Sequence, residues 1–362
     1  MAISVEGKVL AITDRLRKLR QKLLEKELEA ILISQPENCR YLSGFAGSTG
    51  FLLITQDTAT VATDFIYFEQ AKAEVAGLEV VRIKSMAEGF AELMRGRGIN
   101  KLGFEADNLV FSQHSRLSQQ VAEMQIQLVP TEGLVECLRA VKEEEELACL
   151  MRAAEMADNA LEYIAREIRP GMSEKEAAWG IEKFLREKGS EAVSFDIIVA
   201  SGPNGALPHA RPTERCLSHG EPIVVDLGAR VEGYCSDLTR TLCLDPRSGR
   251  FTEVYDLVLR AQHSALDNLE VGMPAEQGDK LARKVIQEGG YGDAFGHGLG
   301  HGVGLAVHER PRLGPNSTDV LQEGMVFTVE PGIYLAGWGG VRIEDTVMMK
   351  DGRVKALTRV GK

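Results

Sequence analysis

The stretch VVDLGARVEGYCSDLTRT, residues 224–241, carries two acids, Asp226 and Asp237, in apolar and β-branched runs on either side of a turn. Such runs, bounded by glycine, read as two antiparallel strands. With the turn centred on Val231 and Glu232, Asp226 and Asp237 fall opposite each other. Opposed residues hold their Cβ atoms about 4.5–5.5 Å apart, close enough to share an ion. A second stretch, VFTVEPGIYLAGWGGVRIEDT at residues 326–346, repeats the construction and sets Glu330 opposite Glu344 around a turn at Gly337. Their neighbours Val224, Val225, Val326, Phe327, Val329, Val341 and Ile343 mark both hairpins as buried. Carboxylates gathered in a buried cleft repel one another and need protons or cations. Two divalent ions would cancel four negative charges.

The segment FGHGLGHGVGLAVHERP, residues 295–311, adds His297, His301 and His308. Its glycines do not make a GxGxxG dinucleotide turn, and neither a GxxxxGK[ST] phosphate loop nor an HExxH zinc helix occurs in the chain. Glycines at this density are expected to let the backbone approach the acidic cleft, bringing an imidazole to it. Asp226, Asp237, His301, Glu330 and Glu344 are therefore the candidate metal ligands.

A chain of 362 residues, 44% hydrophobic, has room for two domains. Its net charge of -11 comes without a basic stripe, which argues against a nucleic-acid partner. The first residues lack a signal-peptide core, and no apolar run approaches the roughly 18 residues of a membrane span, so no membrane association and a cytoplasmic location are expected. Six cysteines without CxxC spacing fit reduced, buried thiols, including Cys235 near the acidic hairpins.

Organisation changes near residue 135, giving an N-terminal domain over 1–135 and a second domain over 136–362. The first reads as a compact α/β unit. A helix with Ile12, Leu16, Leu19 and Leu23 on one face precedes strands at 30–34, 51–55 and 59–63, the last two joined by a turn at Gln56 and Asp57. Strands at 79–83 and 126–130 and helices at 86–97 and 111–124 complete it. The second opens with a long helix from VKEEEE at 141–146 to about Arg169 and contains an internal duplication. RPGMSEKEAA (169–178) and EVGMPAEQGD (270–279) each place Gly-Met before a new helix, with a Ser173–Glu176 capping box in one and Pro274 at the start of the other. At similar separations from Gly171 and Gly272, the chain reaches His209 and His308, then Asp226 and Glu330. Two similar halves, each with one histidine and one acidic hairpin, imply a site between them.

The order Asp226, Asp237, His301, Glu330, Glu344, with the motifs GHGLGHGVG, TVEPGIY and VRIEDT, resembles the pita-bread metallopeptidases. RYLSGFAGSTGFLLIT and ATDFIYFEQA resemble the creatinase-type first domain of prolidases and aminopeptidases P. The fold implied is a mixed α/β chain, a creatinase-type N-terminal domain followed by a pseudo-symmetric pita-bread catalytic domain. Methionine aminopeptidases lack the first domain, and creatinase lacks the ligands that are all present here.

The resemblance implies two divalent ions, manganese foremost with cobalt or zinc as substitutes. They would bridge a water, lower its pKa and polarise a carbonyl. By similarity Asp226 and Asp237 hold one ion, Asp237, His301 and Glu344 the other, and Glu330 binds while moving a proton. His209 and His308 would contact the carbonyl and the substrate backbone, with His297 near the residue after the cut. Tyr334 and Arg342 would support the substrate site, and Thr239 would orient Asp237. The implied substrate is a peptide or dipeptide cut at Xaa-Pro; in the dipeptide case Arg310 or Arg312 would take the carboxylate. A homodimer is implied, one copy's first domain closing the other's pocket. A general aminopeptidase and a non-catalytic peptide-binding module on the same fold are the alternatives.

Overall fold

The computed structural model describes residues 5–245 and 249–362, and the chain divides into two compact units, Met1–Arg139 and Ala140–Lys362. The first unit is built on a six-stranded mixed sheet in the order Glu79–Arg82, Ala59–Thr63, Phe51–Thr55, Ala30–Ile33, Lys101–Glu105, Gln127–Thr131. The hairpin at Gln56 and Asp57 forms as expected: Leu53 faces Thr60, and the Thr55 N–H donates to the Thr58 carbonyl at 2.9 Å. Four elements went unforeseen, the strand Lys101–Glu105 and the helices Pro36–Ser43, Phe68–Glu74 and Glu136–Ala140.

The second unit repeats one plan. The helices Glu144–Glu167 and Glu174–Glu187 cover an antiparallel sheet of Leu238–Cys243, Pro222–Leu227 and Ile198–Ser201, with Ala157, Leu161, Ile181, Val199, Val225 and Leu238 in the core between them. The helices Gly249–Asn268 and Ala275–Glu288 likewise cover a five-stranded sheet ordered Glu309–Leu313, Gly300–Gly302, Val326–Val329, Asp345–Lys350, Arg353–Ala356. Val258, Ala261, Ala282, Phe327 and Val347 fill that interface.

The duplication holds at the level of single hydrogen bonds. Gly171 and Gly272 adopt φ of +87° and +88°, a region glycine enters without strain. Their N–H groups donate to Leu217 and Leu321 at 2.9 and 2.8 Å, and Leu217 and Leu321 donate back to Met172 and Met273 at 2.8 and 2.9 Å. Ser173 and Glu176 form the expected capping box. No helix among the described residues is long and apolar enough to cross a membrane.

Candidate metal centre

The two acidic hairpins form, but only one in the expected register. On the second, Val329 faces Asp345 and Gly332 faces Arg342, the alignment that sets Glu330 against Glu344, with Gly337 at φ +76° in the turn. On the first, Asp226 faces Thr239 rather than Asp237. The cause is the turn. Glu232 and Gly233 take φ of +49° and +81°, the pair of left-handed residues a two-residue hairpin turn requires, which moves its centre one residue past Val231–Glu232. Asp237 lies beyond the end of the ladder, after Ser236.

The acids nonetheless converge. Carboxylate oxygens of Asp226, Asp237 and Glu344, all buried, lie within 4.8 Å of one another. His301 Nε2 stands 3.6 Å from Asp237 Oδ2 and 3.3 Å from Glu330 Oε1, linking the remaining two candidates to the cluster. Burial first, then repulsion from Glu344 and Asp226, pushes Asp237 well above the usual carboxylate range. Burial and the charges of Glu330 and Asp226 do the same to Glu344. Against the cost of its own burial, the hydrogen bond and charge of His301 hold Glu330 down to about 2. Asp226 is raised by burial despite Arg342, and its buried Oδ1 has no hydrogen-bond partner. An orphaned acceptor beside two further buried carboxylates fits a divalent cation, which needs several oxygen donors and cancels their repulsion.

A framework of hydroxyls and one guanidinium aims these groups. Arg342, 4% exposed, donates to Asp226 Oδ2 at 2.6 Å, Thr239 Oγ1 at 3.1 Å, the Tyr334 hydroxyl at 2.8 Å and the Pro208 carbonyl at 3.2 Å. It lines the cavity, yet four of its five N–H donors are spent on the protein. The Thr239 hydroxyl donates to Glu344 Oε2 at 2.7 Å, so it orients Glu344, whereas Asp237 is held through its backbone carbonyl by Thr346 at 2.7 Å. Thr328 donates to Glu330 Oε1 at 3.0 Å and accepts the His301 N–H at 3.1 Å.

His301 sits on a short strand, Gly300–Gly302, and not in a free loop. A Cβ at Gly300 would meet the Thr328 carbonyl at 2.0 Å, and one at Gly302 the Arg310 carbonyl at 2.0 Å. The dense glycines therefore let neighbouring strands close on each other rather than on the cleft.

A cavity of about 700 Å³ opens over the cluster. His209, His297, His301, His308, Arg312, Tyr334 and Arg342 line it together with the four acids. His308 is exposed as a residue, but its ring packs 4.1 Å from that of His301, and this partial shielding from water, followed by the His301 charge, lowers its pKa. Burial lowers His297 as well, and its Nε2 meets the Tyr334 hydroxyl at 3.0 Å. Arg312 is exposed on the cavity wall, whereas Arg310 pairs with Asp319 at 2.9 Å. Sequence reasoning missed Phe195, Asp196, Ile198, Ala210 and Arg211 on the wall, which no motif marks. It also missed Thr328, whose place two residues before Glu330 on the same strand face was the available signal.

Buried carboxylates poised for cations, under a cavity walled by imidazoles and at the meeting of two like halves, define a metal-dependent hydrolase site. Residues 148–351 match metallopeptidase family M24, and residues 15–141 match the creatinase/prolidase N-terminal domain. The chain belongs to the M24 metallopeptidases, with the pita-bread fold of that family. It is similar to the Xaa-Pro dipeptidase from Bacillus anthracis, at 40% identity over 97% of this chain and 98% of that one, with a TM-score of 0.93. The prolidase from Pyrococcus horikoshii OT3 matches at 36% identity, 96% and 99% coverage and a TM-score of 0.91. The X-Pro aminopeptidase from Thermotoga maritima MSB8 matches at 36% identity, 92% and 96% coverage and a TM-score of 0.85.

Proposed function

We propose that this metallopeptidase hydrolyses the Xaa-Pro bond of dipeptides or of peptide N-termini with two divalent ions, manganese foremost, held by Asp226, Asp237, His301, Glu330 and Glu344. The observation that carries the reading is the convergence of Asp226, Asp237 and Glu344 on one point, with Asp226 Oδ1 left without a donor. Relatives with TM-scores of 0.93 and 0.91 that bear the names Xaa-Pro dipeptidase and prolidase support the substrate class. When bound, the ions supply Lewis acidity and an acidified water.

The residues of the chain do the rest. Glu330, on the cavity wall beside His301, is the carboxylate placed to take the proton of the attacking water and return it to the departing proline nitrogen. His308, kept neutral at pH 7 by its lowered pKa, offers a ring N–H to the substrate carbonyl, and His209 does so from the facing loop. The Xaa-Pro amide has no hydrogen to donate, so its ring needs an apolar wall such as Tyr334 and the His297 ring offer. Arg312, exposed on the wall, is placed to pair with the carboxylate of a dipeptide. Arg342 and Tyr334 act through Asp226 and His297.

The deciding experiment compares proline release from an Xaa-Pro dipeptide with release of the first residue from a longer Xaa-Pro peptide, using metal-stripped protein with and without manganese. Metal-dependent turnover of the dipeptide alone assigns a dipeptidase, and turnover of the longer peptide an aminopeptidase. Turnover of neither, with manganese bound, overturns the Xaa-Pro reading.

A further inference from the structure

His209 stands in the segment between Ser201 and Thr213, which begins as the short 3-10 turn Gly202–Ala206 and has little regular structure after it. Both ends of that segment close on one carboxylate. Glu174, the first residue of the helix Glu174–Glu187, is fully buried. Its Oε1 accepts the N–H and hydroxyl of Ser201 at 2.7 and 2.8 Å, and its Oε2 accepts the N–H and hydroxyl of Thr213 at 2.9 and 2.7 Å. The Asn204 amide, inside the segment, donates to both oxygens at 3.2 and 3.1 Å. A buried carboxylate normally resists leaving water, but one ringed by donors stays charged, and the Glu174 pKa is lowered despite its burial.

At its far side the segment is held by the metal framework, where Arg342 donates to the carbonyl of Pro208, the residue before His209. The loop that carries His209 is thus tied at the residue before it to Arg342, which also grips Asp226, and at its base to Glu174. The second half of the domain has no carboxylate at that position. Ala275 occupies the position equivalent to Glu174, its N–H donating to Asp319 at 2.9 Å as that of Glu174 donates to Arg215 at 3.0 Å. There the chain around His308 is braced from within by Asp319, on the Arg312 N–H at 2.8 Å and on Arg310, and by the buried Lys142–Glu309 pair at 2.7 Å.

We infer that Glu174 is a positioning residue for His209, closing the loop that carries this imidazole over the acidic cluster. The inference rests on the reading that His209 contacts the substrate. Replacing Glu174 by glutamine puts an amide NH2 against N–H and hydroxyl donors already in place, so one end of the loop opens. A displacement of about 1 Å at a substrate-contacting group costs up to roughly 100-fold in rate.

The test combines Glu174→Gln, His209→Ala and the double variant, with Thr213→Val as a milder opening of one end and Glu174→Asp as the conservative control. Each is loaded with manganese and assayed on an Xaa-Pro dipeptide, with metal content and Tm measured alongside. The expected result is a loss of kcat of about 10- to 100-fold for Glu174→Gln at unchanged metal content, partial recovery with Glu174→Asp, and a loss of less than about 3-fold when the same change is made in His209→Ala. An equal loss in both backgrounds, or no loss in the parent, overturns the inference. A second readout is independent of turnover. Of the seven histidine ring signals in the NMR spectrum of the metal-stripped protein, the one absent in His209→Ala is expected to shift and broaden in Glu174→Gln and Thr213→Val, while that of His297 holds. An unchanged His209 signal overturns the inference. If the parent protein turns over no Xaa-Pro substrate, the functional reading falls, and the ring signal alone decides the role of Glu174.

Discussion

Arg342 Nη2 lies 2.6 Å from Asp226 Oδ2, a buried ion pair joining the two acidic hairpins across the cleft. The same guanidinium reaches Thr239, whose hydroxyl holds Glu344, so one side chain sets the aim of two carboxylates from different hairpins. Substituting Arg342 by methionine leaves Asp226 without its counter-charge beside two further buried carboxylates, and breaking a buried pair from one side costs about 3–5 kcal/mol. The expected outcome is a lower Tm together with weaker manganese binding, checked by thermal melting and by metal titration. Lysine should not rescue it, because a point ammonium cannot serve Asp226, Tyr334 and Thr239 at once.

Asp237 and Glu344 have raised pKa values, so in metal-stripped protein they add stability that is full below the ordinary carboxylate range and is lost as pH rises through their folded values. Manganese removes the repulsion only when both are ionised. The gain in Tm on adding manganese should therefore widen from about pH 5 to about pH 8, with protons released on binding. Melting curves across that range, with and without the ion, check both signs.

Neutralising one of these acids should have opposite effects on stability and on metal uptake. Asp237→Asn relieves repulsion, and metal-stripped protein is expected to gain on the order of 1–3 kcal/mol. The same variant should lose manganese binding and turnover. Denaturant unfolding and metal analysis on one preparation check the pair of outcomes.

Lys142 and Glu309 form a buried pair at 2.7 Å, with side-chain exposures of 0% and 5%, next to His308 in the chain. Lys142→Met is expected to cost about 3–5 kcal/mol, whereas joining it with Glu309→Gln should recover part of that loss. A double-mutant cycle by chemical denaturation gives the coupling.

What the sequence made legible is local. Gly337 in its turn fixes the second hairpin, and its register follows from counting outward. The first hairpin deceives because Glu232, an ordinary residue, takes a left-handed φ of +49° beside Gly233. The strand Lys101–Glu105 was hidden by charged ends and the central Gly103, whose missing Cβ makes room for Leu28 at 3.0 Å. The acidic cluster could be read because buried acids in apolar strands stand out. The roles of Arg342, Thr239 and Glu174 could not, because each spans partners far apart in the chain that only the closed fold brings together.

The most direct measurement is a manganese titration of metal-stripped protein, followed by calorimetry and by turnover of an Xaa-Pro dipeptide in the same samples. Two ions per chain, with turnover appearing as the sites fill and both lost in Asp226→Asn, is the expected result. Full turnover without metal, or saturation with no ion at Asp226, Asp237 and Glu344, would contradict the account.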